Sequence, residues 1–116
     1  IARFIPEQKA SGPPGGDLLV LSWGGTWGPV SSAVTRCRER GRLVAHAHLR
    51  YLNPFPENLG ELMGRYKRVL VPELNGGQLA MLLRARYLVD TISLPKLQGR
   101  PVTISEVEAG IEEVLS

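Results

Sequence analysis

The sequence predicts an α/β domain of three layers, with helices on both faces of a mostly parallel sheet. Three observations carry that expectation. Leu18, Leu19, Val20 and Leu21 form a continuous apolar run, the mark of a strand covered on both faces; a half-exposed strand would alternate. Strand-like runs then alternate with helix-period stripes, the order that builds a parallel sheet. Gly24, Gly25 and Gly28 join the first strand to the first helix in a tight turn. A chain of 116 residues, 43% hydrophobic, is one domain with enough apolar material for a core.

Residues 1–16 read as a linker from a preceding domain, broken by Pro6, Gly12, Pro13, Pro14, Gly15 and Gly16; only Arg3 to Ile5 suits a short edge strand. Residues 17–116 read as the folded domain. The chain opens Ile-Ala-Arg, without methionine or a signal-like segment, and reads as a piece of a longer protein. After the glycine turn, Pro29 suits the first helical position. Val30, Ala33, Val34 and Cys37 then fall on one helical face. Gly41 stops that helix, with Arg36, Arg38 and Arg40 near its negative end.

The second strand is expected over Leu43 to Ala47, and period two puts His46 and His48 on one face. Arg50 to Pro56 is a proline-stiffened loop. A second helix is expected from about Glu57 to Lys67, burying Leu59, Leu62, Met63 and Tyr66, with Gly60 and Gly64 allowing close packing on the sheet. Arg68 to Val71 is the third strand, closed by Pro72. Glu73 and Asn75 follow at its carboxyl end, where open α/β sheets bind ligands and partners. Gly76 and Gly77 turn the chain into a third helix carrying Leu79, Leu82 and Leu83. Leu88 to Leu94 alternates like a fourth strand, and Pro95 to Pro101 is a loop. The last helix runs from Thr103 to Leu115. Thr103 and Glu106 form its capping box, and Val102 and Val107 its hydrophobic staple.

Composition and spacing narrow the function. The glycine turn lacks the first glycine of a dinucleotide fingerprint, where Trp23 stands, and no Lys-Ser/Thr pair follows it. Two histidines without a third convincing ligand do not make a zinc site, and Cys37 belongs to a buried helix face. A histidine at a strand end beside a subunit contact or a ligand fits better. No apolar run is long enough to span a membrane. Net charge is +3, with arginines scattered and few aromatics beside them, which describes solvated helix faces and not a nucleic-acid surface. One cysteine excludes an internal disulfide and any all-cysteine cluster site, and suits a reducing, cytoplasmic setting. Glu73 has two readings: a general acid/base or ligand-positioning carboxylate, or a residue that pairs with a partner's arginine or caps the third helix. Without a second catalytic group, the structural reading is preferred.

Four separated motifs sharpen the picture: SWGGTWGPV, HLRYLNPFP, VLVPELNGGQLAMLLR and KLQGRPVTISEVEAGI. In this order and spacing the chain, from about Asp17 to Ser116, resembles the C-terminal domain of the α subunit of 2-oxoacid:ferredoxin oxidoreductases, most closely the 2-oxoglutarate branch. The resemblance implies the transketolase C-terminal-like fold, a mixed sheet of five strands, of which four are clear here and a fifth would lie near Val102. It also implies a parent complex that oxidatively decarboxylates a 2-oxoacid with thiamine diphosphate and magnesium. That complex forms an acyl-coenzyme A and passes electrons through an iron–sulfur cluster to ferredoxin. The implied partners are the rest of the α subunit and a β subunit in an oligomer, with no nucleic acid and no membrane.

By the same resemblance no cofactor or catalytic residue sits in this domain, which assembles the enzyme and buttresses its active-site face. Gly24, Gly25 and Gly28 match the family's first glycine turn. His48, Arg50, Pro54 and Pro56 match its loop after strand two, and Glu73, Asn75, Gly76 and Gln78 its glutamate-to-glutamine signature. These residues are the interface or active-site-face candidates, with one glycine more than the family pattern before Gln78. Arg50 either pairs with a partner carboxylate or phosphate or is a surface arginine. Trp27 is unusual in the turn and is expected to plug space a ligand would otherwise fill. Two alternatives remain open: an anion- or nucleotide-binding module of flavodoxin-like architecture, and a transketolase or branched-chain dehydrogenase-type domain.

Overall fold

The apolar run from Leu18 to Leu21 is buried because it lies inside a sheet and between two helical layers. The computed structural model describes residues 5–52, 55–72, 78–94 and 102–116. Strand β1 (Gly16–Trp23) pairs in parallel with β2 (Ala45–Leu49) on one side and β3 (Tyr66–Val71) on the other. Strand β4 (Thr91–Ser93) joins β3, also in parallel, giving the order β2-β1-β3-β4. Among the described residues the sheet therefore has four strands, and the antiparallel element is a single bridge from Ser11 to His46 on the outer edge of β2. Val102, the candidate for a fifth strand, is buried in the core just ahead of the last helix and, among the described residues, pairs with no strand.

Helices α1 (Trp27–Glu39) and α4 (Ile104–Leu115) cover one face, where Leu18 and Val20 meet Val30, Val34, Cys37, Val107 and Ile111. Helices α2 (Leu59–Gly64) and α3 (Gln78–Tyr87) cover the other, where Leu19 and Leu21 meet Leu59, Met63, Leu79 and Leu83. Alternate residues of β1 thus serve two separate cores. Arg40 ties α1 to α4 through Glu108 and Glu112, with Arg42 also on Glu112. These contacts hold both carboxyls below the usual carboxylate range, the hydrogen bond from Arg40 being the largest cause.

Several boundaries differ from the expected ones. Helix α1 begins at Trp27, after a short 3₁₀ turn at Gly24–Thr26, so Pro29 takes the third helical position; its missing N–H is harmless anywhere in a first turn. Strand β2 is shifted two residues along, leaving Leu43 exposed. Helix α2 stops at Gly64, and Tyr66 opens β3 instead of extending the helical stripe. Tyr66 is still buried against Leu62 and Met63, and its hydroxyl donates to the Pro13 carbonyl at 2.7 Å. Lys67 lies in the strand beside Asp17, 3.4 Å away.

Gly60 packs against the Tyr87 ring of α3 and not against the sheet, while a Cβ at Gly64 would meet nothing within 4 Å among the described residues. Leu82 faces out; Ala80 takes its place in the buried stripe. Strand β4 is short because Leu88, at φ +57, caps α3 through an N–H bond to the Arg84 carbonyl at 2.9 Å. The segment read as a linker is, from Ile5 onward, laid along β2. Gln8 exchanges hydrogen bonds with Asn58 and donates to the His48 carbonyl, and Ser11 bridges His46.

Candidate functional site

The connections leave β1 toward β2 and β3 toward β4, so the winding reverses between β1 and β3. In open α/β sheets the carboxyl edge at such a reversal is where ligands sit. On the β2 side of that crevice, along the same carboxyl edge, Trp23 is paired with Leu49, so Gly24 and Arg50 leave adjacent strands as neighbours. Gly24 has φ +61, a backbone state that favours glycine. The Thr26 hydroxyl closes the turn, donating to the Trp23 carbonyl at 2.8 Å and accepting from its N–H at 3.1 Å. A Cβ at Gly25 or Gly28 would meet nothing within 4 Å among the described residues. Trp27 is 55% exposed on this turn. Glu73, Asn75 and Gly76 lie outside the described residues. Gln78 begins α3 on the same edge.

Behind this edge is a polar cluster inside the sheet face. Ser22 Oγ lies 2.8 Å from His46 Nε2 and 2.8 Å from His48 Nδ1. The parallel register sets this up, aligning Val20 with His46 and Ser22 with His48. Burial, then His48, then Arg38 push His46 down to about 4; burial and then Arg50 push His48 down as well. Both rings are therefore neutral near pH 7. Ser22 has one proton to give and lone pairs to accept, so it donates to one ring nitrogen and accepts from the other. No buried side-chain polar atom is left unpartnered among the described residues. Ser22 is fully buried, and no carboxylate among the described residues orients either ring, so the cluster is not arranged for nucleophilic attack. Cys37 lies elsewhere, between α1 and α4 beside Arg40, and burial raises its thiol. Among the described residues no group of three or more His, Cys, Asp or Glu is placed to hold a metal.

The structure thus brings Gly24, Gly25, Gly28, His48, Arg50 and the start of α3 to one edge. Sequence reasoning missed Ser22. Its signal was a polar residue following Leu18 and Val20 at period two on the same strand face, but its partners depend on a register no local pattern carries. Lys9 and Gln8 were also missed, as parts of a segment read as a linker. Outside His48 they line, with Glu7, Arg50 and Tyr51, a cleft of about 410 Å³.

The doubly covered four-stranded sheet with its glycine turn defines a three-layer domain of the transketolase C-terminal type. A structure described as a split-gene transketolase shares that fold, with TM-score 0.71 over 98% of this chain and 43% of that one, at 17% identity. Residues 16–107 match the model of pyruvate:ferredoxin oxidoreductase core domain II, and the chain belongs to that family. It is 48% identical over 97% of its length to the 2-oxoglutarate oxidoreductase subunit KorA of Mycobacterium tuberculosis. It is 35% identical, again over 97%, to the α subunit of 2-oxoacid:ferredoxin oxidoreductase 2 of Aeropyrum pernix. It spans 17% and 18% of those proteins. Among solved structures it matches a 2-oxoglutarate:ferredoxin oxidoreductase from Magnetococcus marinus with 2-oxoglutarate, coenzyme A and succinyl-CoA bound. That match has TM-score 0.88 and 28% identity over 97% of this chain and 20% of that one. No helix among the described residues is long and apolar enough to cross a membrane.

Proposed function

We propose that this chain is the assembly domain of the α subunit of a 2-oxoacid:ferredoxin oxidoreductase of the 2-oxoglutarate type, working in the cytoplasm. The observation that carries the branch is the 48% identity to a 2-oxoglutarate oxidoreductase subunit over nearly the whole chain. In this reading residues 1–16 lead in from a preceding domain and 17–116 form the transketolase C-terminal-like unit. Thiamine diphosphate and magnesium would supply the carbanion chemistry, coenzyme A would take the acyl group, and an iron–sulfur cluster would pass electrons to ferredoxin. A single cysteine does not make a cluster site, so those ligands belong to other parts of the complex, including the β subunit.

The assembly role rests on surface. Met81 and Leu82 on α3, with Leu88 just past its end, expose an apolar stripe, and Gly25 and Gly28 leave open space beside the carboxyl edge. Glu73, Asn75, Gly76 and Gln78 would order that edge against neighbouring domains.

The decisive test is dye-linked oxidation of 2-oxoglutarate and of pyruvate by the complex containing the full-length protein, with coenzyme A present. Reduction with 2-oxoglutarate is expected. Reduction with pyruvate alone would move the branch. No reduction with either, from a complex shown to hold thiamine diphosphate and iron, would overturn the assignment.

A further inference from the structure

The basic side chains of the described residues are almost all engaged. Arg36, Arg40 and Arg42 pair with Glu108 and Glu112 on α4. Arg65 pairs with Glu61, Lys67 with Asp17 and Arg68 with Asp90. Arg38 donates to the Val44 carbonyl and to Ser11, Arg84 to the Thr91 carbonyl, and Arg86 lies over the Phe55 and Tyr87 rings. Among the described residues, Lys9 and Arg50 are the two whose cationic groups have no such partner. They come from segments more than forty residues apart, yet both line the same cleft. Both are exposed, and with one acid against them they leave the concavity net positive, which favours an anion there.

The cleft adds directed donors. His48 lines it, and because Ser22 occupies Nδ1, Nε2 is the ring nitrogen left for a ligand. The serine relay sets what that nitrogen can do. When His46 Nε2–H donates to Ser22 and Ser22 donates to His48 Nδ1, His48 Nε2 carries a proton and is a donor. When the relay runs the other way, Nε2 is an acceptor. An anion selects the first arrangement without charging either ring. The Gln8 side chain does not compete for the site, since it is committed to the His48 and Lys9 carbonyls. Glu7 is the one acid among the lining residues, against two cations. The volume of about 410 Å³ is larger than a bare inorganic ion needs and lies in the range of small-molecule sites.

We infer that the cleft between residues 7–9 and the end of β2 binds the oxyanion of a small organic ligand, a phosphate ester or a carboxylic acid, through Lys9, Arg50 and His48 Nε2–H. This site lies beyond the assembly role and does not depend on it.

Calorimetric titration with inorganic phosphate as probe tests it, first on the 116-residue chain and then on the full-length protein. Saturable binding is expected in both. Arg50→Met and Lys9→Met should each weaken it by about tenfold. Arg65→Met, which removes an arginine already paired elsewhere, should leave it unchanged. Lys9 and Arg50 are exposed, so the variants should unfold at the wild-type temperature. In the chain labelled with 15N-histidine, phosphate should move the His48 resonances toward the Nε2–H tautomer. Absence of binding, or equal weakening by Arg65→Met, would overturn the site. Binding to the chain but not to the full-length protein would overturn it too, because the cleft would then be filled by another domain.

Discussion

Ser22 serves two imidazoles with one proton, which sets a condition on the pH at which the domain is stable. His46 is held at about 4 by burial, by His48 and by Arg38, against about 6.5 in an unfolded chain. Between those values the unfolded state binds a proton that the folded state refuses. Stability is therefore complete above pH 6.5 and is lost as pH falls toward 4, by roughly 2 kcal/mol at pH 5 from this group. Glu108 and Glu112 are shifted down, so their contribution is present above the ordinary carboxylate pKa and fades only below it. Urea unfolding at pH 7 and pH 5 separates the two windows, since the loss by pH 5 comes from the histidines. A flat profile there, or an unchanged slope in His46→Gln, would contradict the buried neutral ring. The histidines' shared face was legible from period two alone. Their partner was not, because Ser22 meets them through inter-strand register.

Elements were legible in proportion to how local their signals are. Helix α4 follows its expected span because cap and staple are written within six residues. The Thr103 hydroxyl accepts from Glu106 N–H at 3.1 Å, the Glu106 carboxylate accepts from Thr103 N–H at 2.9 Å, and Val102 and Val107 share the core. Helix α2 was overextended because Tyr66, seven residues after Leu59, enters the same core from the strand. A spacing rule registers burial and not the element that delivers it.

Gly60 gives a test at this scale. A methyl there would lie 2.7 Å from the Tyr87 ring, so Gly60→Ala should destabilise by about 1–3 kcal/mol despite its gain in helix propensity. In a Tyr87→Ala background the same change should stabilise. A double-mutant cycle by urea unfolding reads the coupling, and additive effects would mean that the α2–α3 contact does not constrain position 60.

For the molecule as a whole, the two cores were visible in the sequence but the outward face of α3 was misassigned, because Leu82 has the composition of a core residue and the orientation of a surface one. Met81 at 68% and Leu82 at 51% exposure on α3, with exposed Ala85 a turn later, lead to Leu88 at 88% just past the helix end. Single exposed apolar side chains are ordinary; a stripe calls for a partner. Leu88 is also the one described non-glycine residue at positive φ, a conformation that costs a leucine about 1–2 kcal/mol. The conformation caps α3, but neither the exposure nor the leucine side chain helps this domain alone.

If the stripe packs against the rest of an α subunit, substitutions there should act with opposite signs on the domain and on the complex. Leu88→Asn, which tolerates the left-handed state, should stabilise the chain by about 0.5–1 kcal/mol. Leu82→Glu should leave it within about 0.5 kcal/mol. On the proposed function, both should weaken co-purification of the full-length protein with a partner subunit and lower dye-linked turnover through loss of the assembled complex. Urea unfolding of the chain beside size-exclusion chromatography of the complex measures the two sides. Wild-type assembly by Leu82→Glu would show that the stripe is solvated in the enzyme, and the assembly surface would then have to be sought at the glycine turn, where Gly28→Ala should stabilise α1 yet impair assembly.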